Sequence, residues 1–233
     1  MKNVLLLFDI DGTILRVEDG VSRSVFQNVF RSFFGVKEKP LEIDFDFAGL
    51  TDLDIVFRIA KIYGIDIQLV TSNINSLWER LLEEFFIHCK REQIHLIDYA
   101  YEFIEILSKK DQVCLGLLTG NFKDCAYFKL KLVGLDKYFP FGAFGDESVE
   151  RSNLHKAAIK RANEYFNKEM FTQENTFVIG DSIPDVVSAK VNNIKVIAVS
   201  TGRTNYNELA KYEPDLLVHN FAEKEKIFEF VGL

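Results

Sequence analysis

Residues 9–13 read DIDGT and directly follow the apolar run VLLLF. Alternation along an extended chain points Asp9 and Asp11 to the same side. Two carboxylates held that close repel each other. A fold keeps them together if a cation lies between them, or if one of them holds a proton for chemistry. Further polar residues follow later apolar runs: TGN at Thr119–Asn121, and GDSIPD with Asp181 and Asp185. Ser182-x-x-Asp185 has the form of a capping box, with Pro184 in the first turn of a helix. That accounts for Ser182 and is open for Asp185, but it leaves Asp181 unexplained. The four histidines, His88, His95, His155 and His219, show no zinc-ligand spacing and are assigned no metal.

These polar groups need elements that converge on one point. Short apolar runs of the kind that form fully buried parallel strands occur at Val4–Phe8, Val113–Leu118, Thr176–Ile179, Val196–Val199 and Asp215–Val218. Helix-like segments lie between them, at residues 98–110, 122–134 and 153–166, the second ending at Gly134 as a C-cap. Strand alternating with helix reads as an α/β fold, a doubly wound parallel sheet with a Rossmann-like core. Ligands of such sheets bind outside the carboxyl ends of the strands. The polar strand ends therefore predict one composite site.

Residues 17–89 break the alternation. They hold no buried-strand run and read as helices at Val21–Phe34, Leu53–Tyr63 and Ile74–Lys90. A loop with Pro40 and Gly49 joins the first two. The expected organisation is a core of residues 1–16 and 90–233, with 17–89 as an inserted helical cap domain.

The chain has 233 residues, 48% of them apolar and 27% charged, which suits a globular protein with a sizeable core. Its formal net charge of −7 argues against nucleic acid and against an anionic membrane surface as partners. The three cysteines, Cys89, Cys114 and Cys125, form no C-x-x-C pair, which favours a reduced compartment over a disulfide framework. Asp9 interrupts the N-terminal apolar run, so that run reads as a strand and not an export signal. No stretch approaches the roughly 18 apolar residues of a membrane span. The expected location is the cytoplasm.

DIDGT, LLTGN and VIGDSIPD, in that order and after successive strands, resemble the motifs of the haloacid dehalogenase-like hydrolase superfamily. The resemblance spans essentially the whole chain. It implies the doubly wound sheet already inferred and a mobile helical cap over residues 17–89. It further implies that Asp9 is a nucleophile that attacks phosphorus and forms an aspartyl-phosphate. Two unit charges about 4 Å apart repel by roughly 4 kcal/mol at an effective dielectric of about 20. A cation must offset that, and hard oxygen ligands select Mg²⁺. The implied metal ligands are the carboxylates of Asp9 and Asp181 and the backbone carbonyl of Asp11. Asp185 would orient a metal-bound water or a neighbouring cation. Asp11 would be the general acid and base. Dehalogenase members carry another residue there, so Asp11 favours phosphoryl chemistry. Thr119, the Gly120 amide and Asn121 would hold the phosphoryl oxygens, and Gly12 would let the backbone turn closely around the nucleophile.

The family's basic residue, usually a Lys followed by Pro, has no direct counterpart here. Arg151 and Lys156 are the candidates. Arg151 is preferred because it falls just outside the helix that begins near Ser152 or Asn153, where it can reach the strand ends and clamp phosphate as a fork. The FAGLTD loop, Phe47–Asp52, resembles the specificity loop that relatives insert into the site, and Arg16 near the hinge can also approach it.

The expected activity is hydrolysis of a small-molecule phosphate ester by a monomer or homodimer. The alternatives are a sugar phosphomutase of the same superfamily and a non-catalytic binding module. Mutases of this form place a His early in the cap, and residues 17–87 contain none. Loss of Asp9 or Asp181 would mark a binding module, and both are present. A P-loop string and a G-x-G-x-x-G turn are absent from the sequence, which argues against nucleotide and dinucleotide sites.

Overall fold

A computed structural model describes residues 3–36 and 43–233. In chain order the elements are β1 (Val4–Phe8), β2 (Leu15–Val17), α1 (Val21–Phe34), α2 (Asp52–Tyr63), α3 (Ile67–Ser72), α4 (Ile74–His88) and β3 (Ile94–Leu96). There follow α5 (Ala100–Ser108), β4 (Val113–Leu118), α6 (Lys123–Leu132), β5 (Gly142–Ala143), α7 (Leu154–Phe166) and β6 (Thr176–Gly180). The chain then forms α8 (Ile183–Val191), β7 (Lys195–Val199), α9 (Tyr206–Ala210), β8 (Leu216–Val218) and α10 (Lys224–Val231).

Six strands form one parallel sheet in the order β5-β4-β1-β6-β7-β8. The apolar run VLLLF is its centre, buried at every position. Its alternation divides the core. Leu5 and Leu7 pack with Leu154, Ala158, Val186, Ala189 and Leu209 of α7, α8 and α9. Leu6 and Phe8 face Phe103, Ile104, Ala126, Leu130 and Ile227 of α5, α6 and α10. Each such leucine contributes on the order of 1.5–3 kcal/mol by leaving water. Continuous apolar strands are therefore what a sheet covered on both faces requires. The doubly wound sheet expected from the sequence is present.

The register sets the site. Phe8 is level with Leu117 of β4 and with Ile179 of β6. The chain leaves the sheet at Asp9, Thr119 and Asp181 on adjoining strands at the same edge. The strand order also reverses here, with β4 and β5 on one side of β1 and β6 to β8 on the other.

Helices α1 to α4 are inserted between β2 and β3, which pair antiparallel with Leu15 opposite Leu96. This two-stranded ribbon ties the base of the insertion together and is not among the elements expected from the sequence. Within the insertion α1 packs on α4, and Thr51 caps α2 by accepting the Asp54 N–H at 3.2 Å. Aromatic rings join the insertion to the core: Trp78 of α4 stacks on Phe122 at 5.1 Å, and Phe86 meets Phe128 at 4.5 Å. Pro40 of the expected loop lies outside the described residues. Among the described residues no helix is long and apolar enough to cross a membrane.

Candidate active site

Asp9, Asp181 and Asp185 place one carboxylate oxygen each within 4.8 Å of one another. All three are buried, Asp185 completely. Arg151 brings a positive charge into this cluster. It donates from one terminal nitrogen to Asp9 Oδ1 at 2.9 Å, to Asp185 Oδ1 and to the Leu118 carbonyl. Asp185 also accepts from the Ser182 N–H at 3.1 Å, while Ser182 Oγ accepts the Asp185 N–H. The capping box is thus formed, and the same carboxylate anchors the guanidinium. Thr13 Oγ1 donates to Asp181 Oδ1 at 3.0 Å.

Among the described residues the charges of the cluster do not balance: three buried carboxylates face one guanidinium. Burial, opposed by Arg151 and reinforced by Asp185, pushes the Asp9 carboxyl up from its ordinary 3.8 to about 7. Burial and the neighbouring Asp9 and Asp185 carboxylates hold Asp181 well above its ordinary range. A hard divalent cation supplies the missing positive charge and prefers such oxygen donors. The backbone approaches this cluster closely: Gly12 has φ +89°, and a Cβ there would lie 2.4 Å from Asp181 Oδ2.

Asp11 belongs to a second polar cluster. Strand β1 ends at Phe8, so strand alternation does not extend to Asp11. Its carboxylate lines the same cavity as Asp9 but is bonded to other partners. Lys129 of α6 donates to Asp11 Oδ1 at 2.9 Å and to Oδ2 at 2.8 Å, and Asn121 Nδ2 donates to Oδ2 at 2.7 Å. Lys129 also donates to Asn121 Oδ1 at 2.6 Å. Burial alone would lower the pKa of the Lys129 ammonium, but the carboxylate of Asp11 and its other neighbours outweigh it and hold the pKa above its ordinary value.

The other residues singled out in the sequence separate into two groups. Gly120, Asn121, Arg151 and Arg16 line a cavity of about 190 Å³, together with Asp9, Asp11, Gly12 and Asp181. Thr119 does not: it is fully buried, and its hydroxyl accepts from Asn121 Nδ2 at 2.8 Å. Lys156 is exposed on α7, whereas Arg151 precedes that helix in a 3₁₀ turn and is buried against Asp9 and Asp185. No histidine is among the described residues lining the cavity.

The insertion closes over this edge. Asp52 N donates to the Gly120 carbonyl at 2.7 Å, Leu53 N to the Gly145 carbonyl at 3.0 Å, and Thr51 Oγ1 to the Val149 carbonyl at 3.1 Å. Gly49, at φ +73°, lies where a Cβ would be 2.5 Å from Pro184. The FAGLTD loop is therefore seated on the core at the mouth of the site. Sequence reasoning does not single out Lys129, Thr13 or the Asp52 carboxylate, which accepts the Phe122 N–H at 2.8 Å. For Lys129 a signal exists: it shares a helix face with the buried Cys125, Ala126 and Leu130.

The haloacid dehalogenase-like hydrolase family matches residues 6–199 of the chain. The chain belongs to this family. Among its relatives, pyrophosphatase PpaX of Oceanobacillus iheyensis is 22% identical over 221 residues, covering 94% of this chain and 93% of that protein. Phosphoglycolate phosphatase of Agrobacterium fabrum is 24% identical over 221 residues, covering 94% and 89%. The crystal structure of a hydrolase from Pseudomonas syringae superposes with a TM-score of 0.68 at 18% identity, covering 97% and 98%. At that identity the likeness shows the fold. In this hydrolase the buried Asp9–Asp181–Asp185 cluster is capable of coordinating a metal.

His155 lies beneath the cluster, fully buried, with Nδ1 3.3 Å from the Ser152 carbonyl. Burial and the Arg151 charge lower its pKa from 6.5 to about 4. In the unfolded chain it takes a proton near its ordinary value. Between those two pH values the unfolded state binds more protons, so His155 withdraws stability as pH falls from about 6.5 to about 4. The loss reaches about 3 kcal/mol at the acid end. Denaturant midpoints at pH 7 and pH 5 are expected to differ less in His155→Phe than in the unaltered protein. An equal difference would show that His155 titrates normally.

Proposed function

We propose that this hydrolase is a Mg²⁺-dependent phosphatase that hydrolyses a small-metabolite phosphate monoester through an aspartyl-phosphate on Asp9. The observation that carries the reading is the buried Asp9, bonded to Arg151 and beside Asp181, at the floor of a cavity of about 190 Å³. That volume suits a small ester better than a cofactor-sized ligand.

Asp9 and Asp181, with the Asp11 backbone carbonyl, would hold the metal. Mg²⁺ would offset the repulsion between the nucleophile and the phosphoryl oxygens. Arg151 orients Asp9 for in-line attack and offers its remaining N–H groups to the transferring phosphoryl group. The Gly120 backbone faces the same oxygens from the cavity wall. Asp11 gives a proton to the departing oxygen and then takes one from the water that attacks the aspartyl-phosphate. Asp185 keeps Arg151 in place. The α1–α4 insertion acts as the cap, seated by the Thr51–Leu53 backbone, and excludes bulk water while the phosphoryl group is transferred.

Inorganic pyrophosphate is a second reading. Relatives carry the name pyrophosphatase, and Arg16, Arg23 and Arg203 also line the cavity, where they would meet a second anionic group. Transfer between sugar hydroxyls is less favoured, since no histidine is among the described residues lining the cavity.

Phosphate release from small esters and from pyrophosphate, with Mg²⁺ and with EDTA, tests the reading. EDTA is expected to lower the rate at least about 10²-fold, and restored Mg²⁺ to recover it. Equal rates in both conditions would remove the metal from the account. A ranking headed by pyrophosphate would select the second reading.

A further inference from the structure

We propose that Lys129 is a positioning residue for the reaction, fixing the carboxylate of Asp11 from beneath the seated cap. This rests on the reading of Asp11 as general acid and base. The ammonium has three N–H groups, and the structure offers it three acceptors: Asp11 Oδ1, Asp11 Oδ2 and Asn121 Oδ1. None remains for a substrate oxygen, so Lys129 acts through Asp11. Asn121 completes a closed triangle by donating to Asp11 Oδ2. Its amide is engaged in this triangle and with Thr119, which makes it a second support for Asp11.

All three members of the triangle come from the core, but the insertion helps to cover them. Lys129 is only 2% exposed. Its cover includes Phe85 of α4, whose ring centroid is 5.7 Å from Nζ. Asp52 of α2 lies close enough to act electrostatically on the ammonium. Both come from the insertion. The insertion thus helps to screen Lys129 from water, and the strength of its grip on Asp11 follows cap position. An acid placed in this way is fixed when substrate is enclosed and freer to hydrate when the cap lifts.

The test uses leaving groups. An alkyl phosphate needs a proton on its departing oxygen, whereas p-nitrophenyl phosphate does not. We expect Lys129→Met to lower kcat/KM for the best alkyl ester by about 10²-fold and for p-nitrophenyl phosphate by less than about 5-fold. Lys129→Arg, which keeps a cationic donor, should recover part of the alkyl activity. Asn121→Ala, a smaller change in the same triangle, should show the same bias and serves if Lys129→Met does not fold. Asp11→Asn and Asp9→Asn are the controls. Selective alkyl loss in Asp11→Asn, with equal loss on both esters or no loss in the Lys129 and Asn121 variants, overturns the role of Lys129 and leaves that of Asp11 standing. Absence of any bias in Asp11→Asn overturns the acid role and this proposal with it. Turnover that survives in Asp9→Asn overturns the phosphatase mechanism itself.

Discussion

Asp9→Asn is expected to abolish turnover, lowering kcat by at least about 10⁴-fold on every ester the protein accepts. The amide is nearly the same shape but is a poor nucleophile, so no covalent intermediate forms. The fold should survive the change. The amide oxygen of the variant can still accept a hydrogen bond from Arg151, and Arg151 keeps its second anchor, Asp185, which is completely buried. Removing one of three crowded carboxylates also relieves the repulsion that helps to hold Asp181 above its ordinary range. The variant's Tm in EDTA should therefore equal or exceed that of the unaltered protein. An inactive variant with a Tm many degrees lower would mean that the loss reflects unfolding and not chemistry.

Arg151→Ala has the largest expected effect on stability. It strips the guanidinium from Asp9 and Asp185 and leaves three buried carboxylates with no cation bonded to them among the described residues. Removing one partner of a buried ion pair costs about 3–5 kcal/mol, which for a chain of this size is a Tm lower by roughly 6–20 °C. The pH dependence has a definite sign. Arg151 favours the ionised form of Asp9, whose carboxyl titrates at about 7, so loss of Arg151 costs more above that pH than below it. The Tm deficit in EDTA should accordingly be larger at pH 8 than at pH 6. Mg²⁺ should reduce it, since the metal restores positive charge to the same cluster. Activity should fall at least about 10²-fold if, as proposed, Arg151 also faces the transferring group. A variant as stable as the unaltered protein at pH 8 in EDTA would show that Arg151 does not balance the cluster.

The parts of the site that are legible in the sequence share a cause. A buried parallel strand must be a continuous apolar run, and the residue that ends it is conspicuous when it is charged. Asp9 after Phe8 and Asp181 after Gly180 stand out for that reason. Arg151 is separable from Lys156 because Ser152 and Asn153 mark a helix start, which leaves Arg151 free to turn inward while Lys156 joins a solvated face. The ribbon of β2 and β3 is not legible. Each strand has three residues, too few for a period to register, and their pairing is fixed by the insertion between them. The two-residue β5 escapes notice for the same reason.

Asp9 and Asp11 line one cavity, but strand alternation is not the reason. That alternation holds only where the strand continues, and β1 stops at Phe8. Lys129 is inconspicuous because a lysine on a helix usually marks the solvated face. Its helix face signals burial, but its partner is a carboxylate 118 residues away, and no local pattern carries that pairing. The same holds for Thr13, whose hydroxyl meets Asp181 across 168 residues, and for Asp52, which meets the Phe122 N–H across 70. Local sequence announces where a polar group leaves a strand. Which partner it finds depends on tertiary register.

The central claim is that Asp9 carries the phosphoryl group between the ester and water. The most direct measurement is rapid acid quench during turnover with Mg²⁺, followed by mass spectrometry of the intact protein and of its peptides. The expected result is one added phosphoryl group, mapped to Asp9, present during turnover and absent from Asp9→Asn. Phosphate release at full rate with the phosphoryl group on another residue, or with no phosphorylated protein at any quench time, would contradict the account.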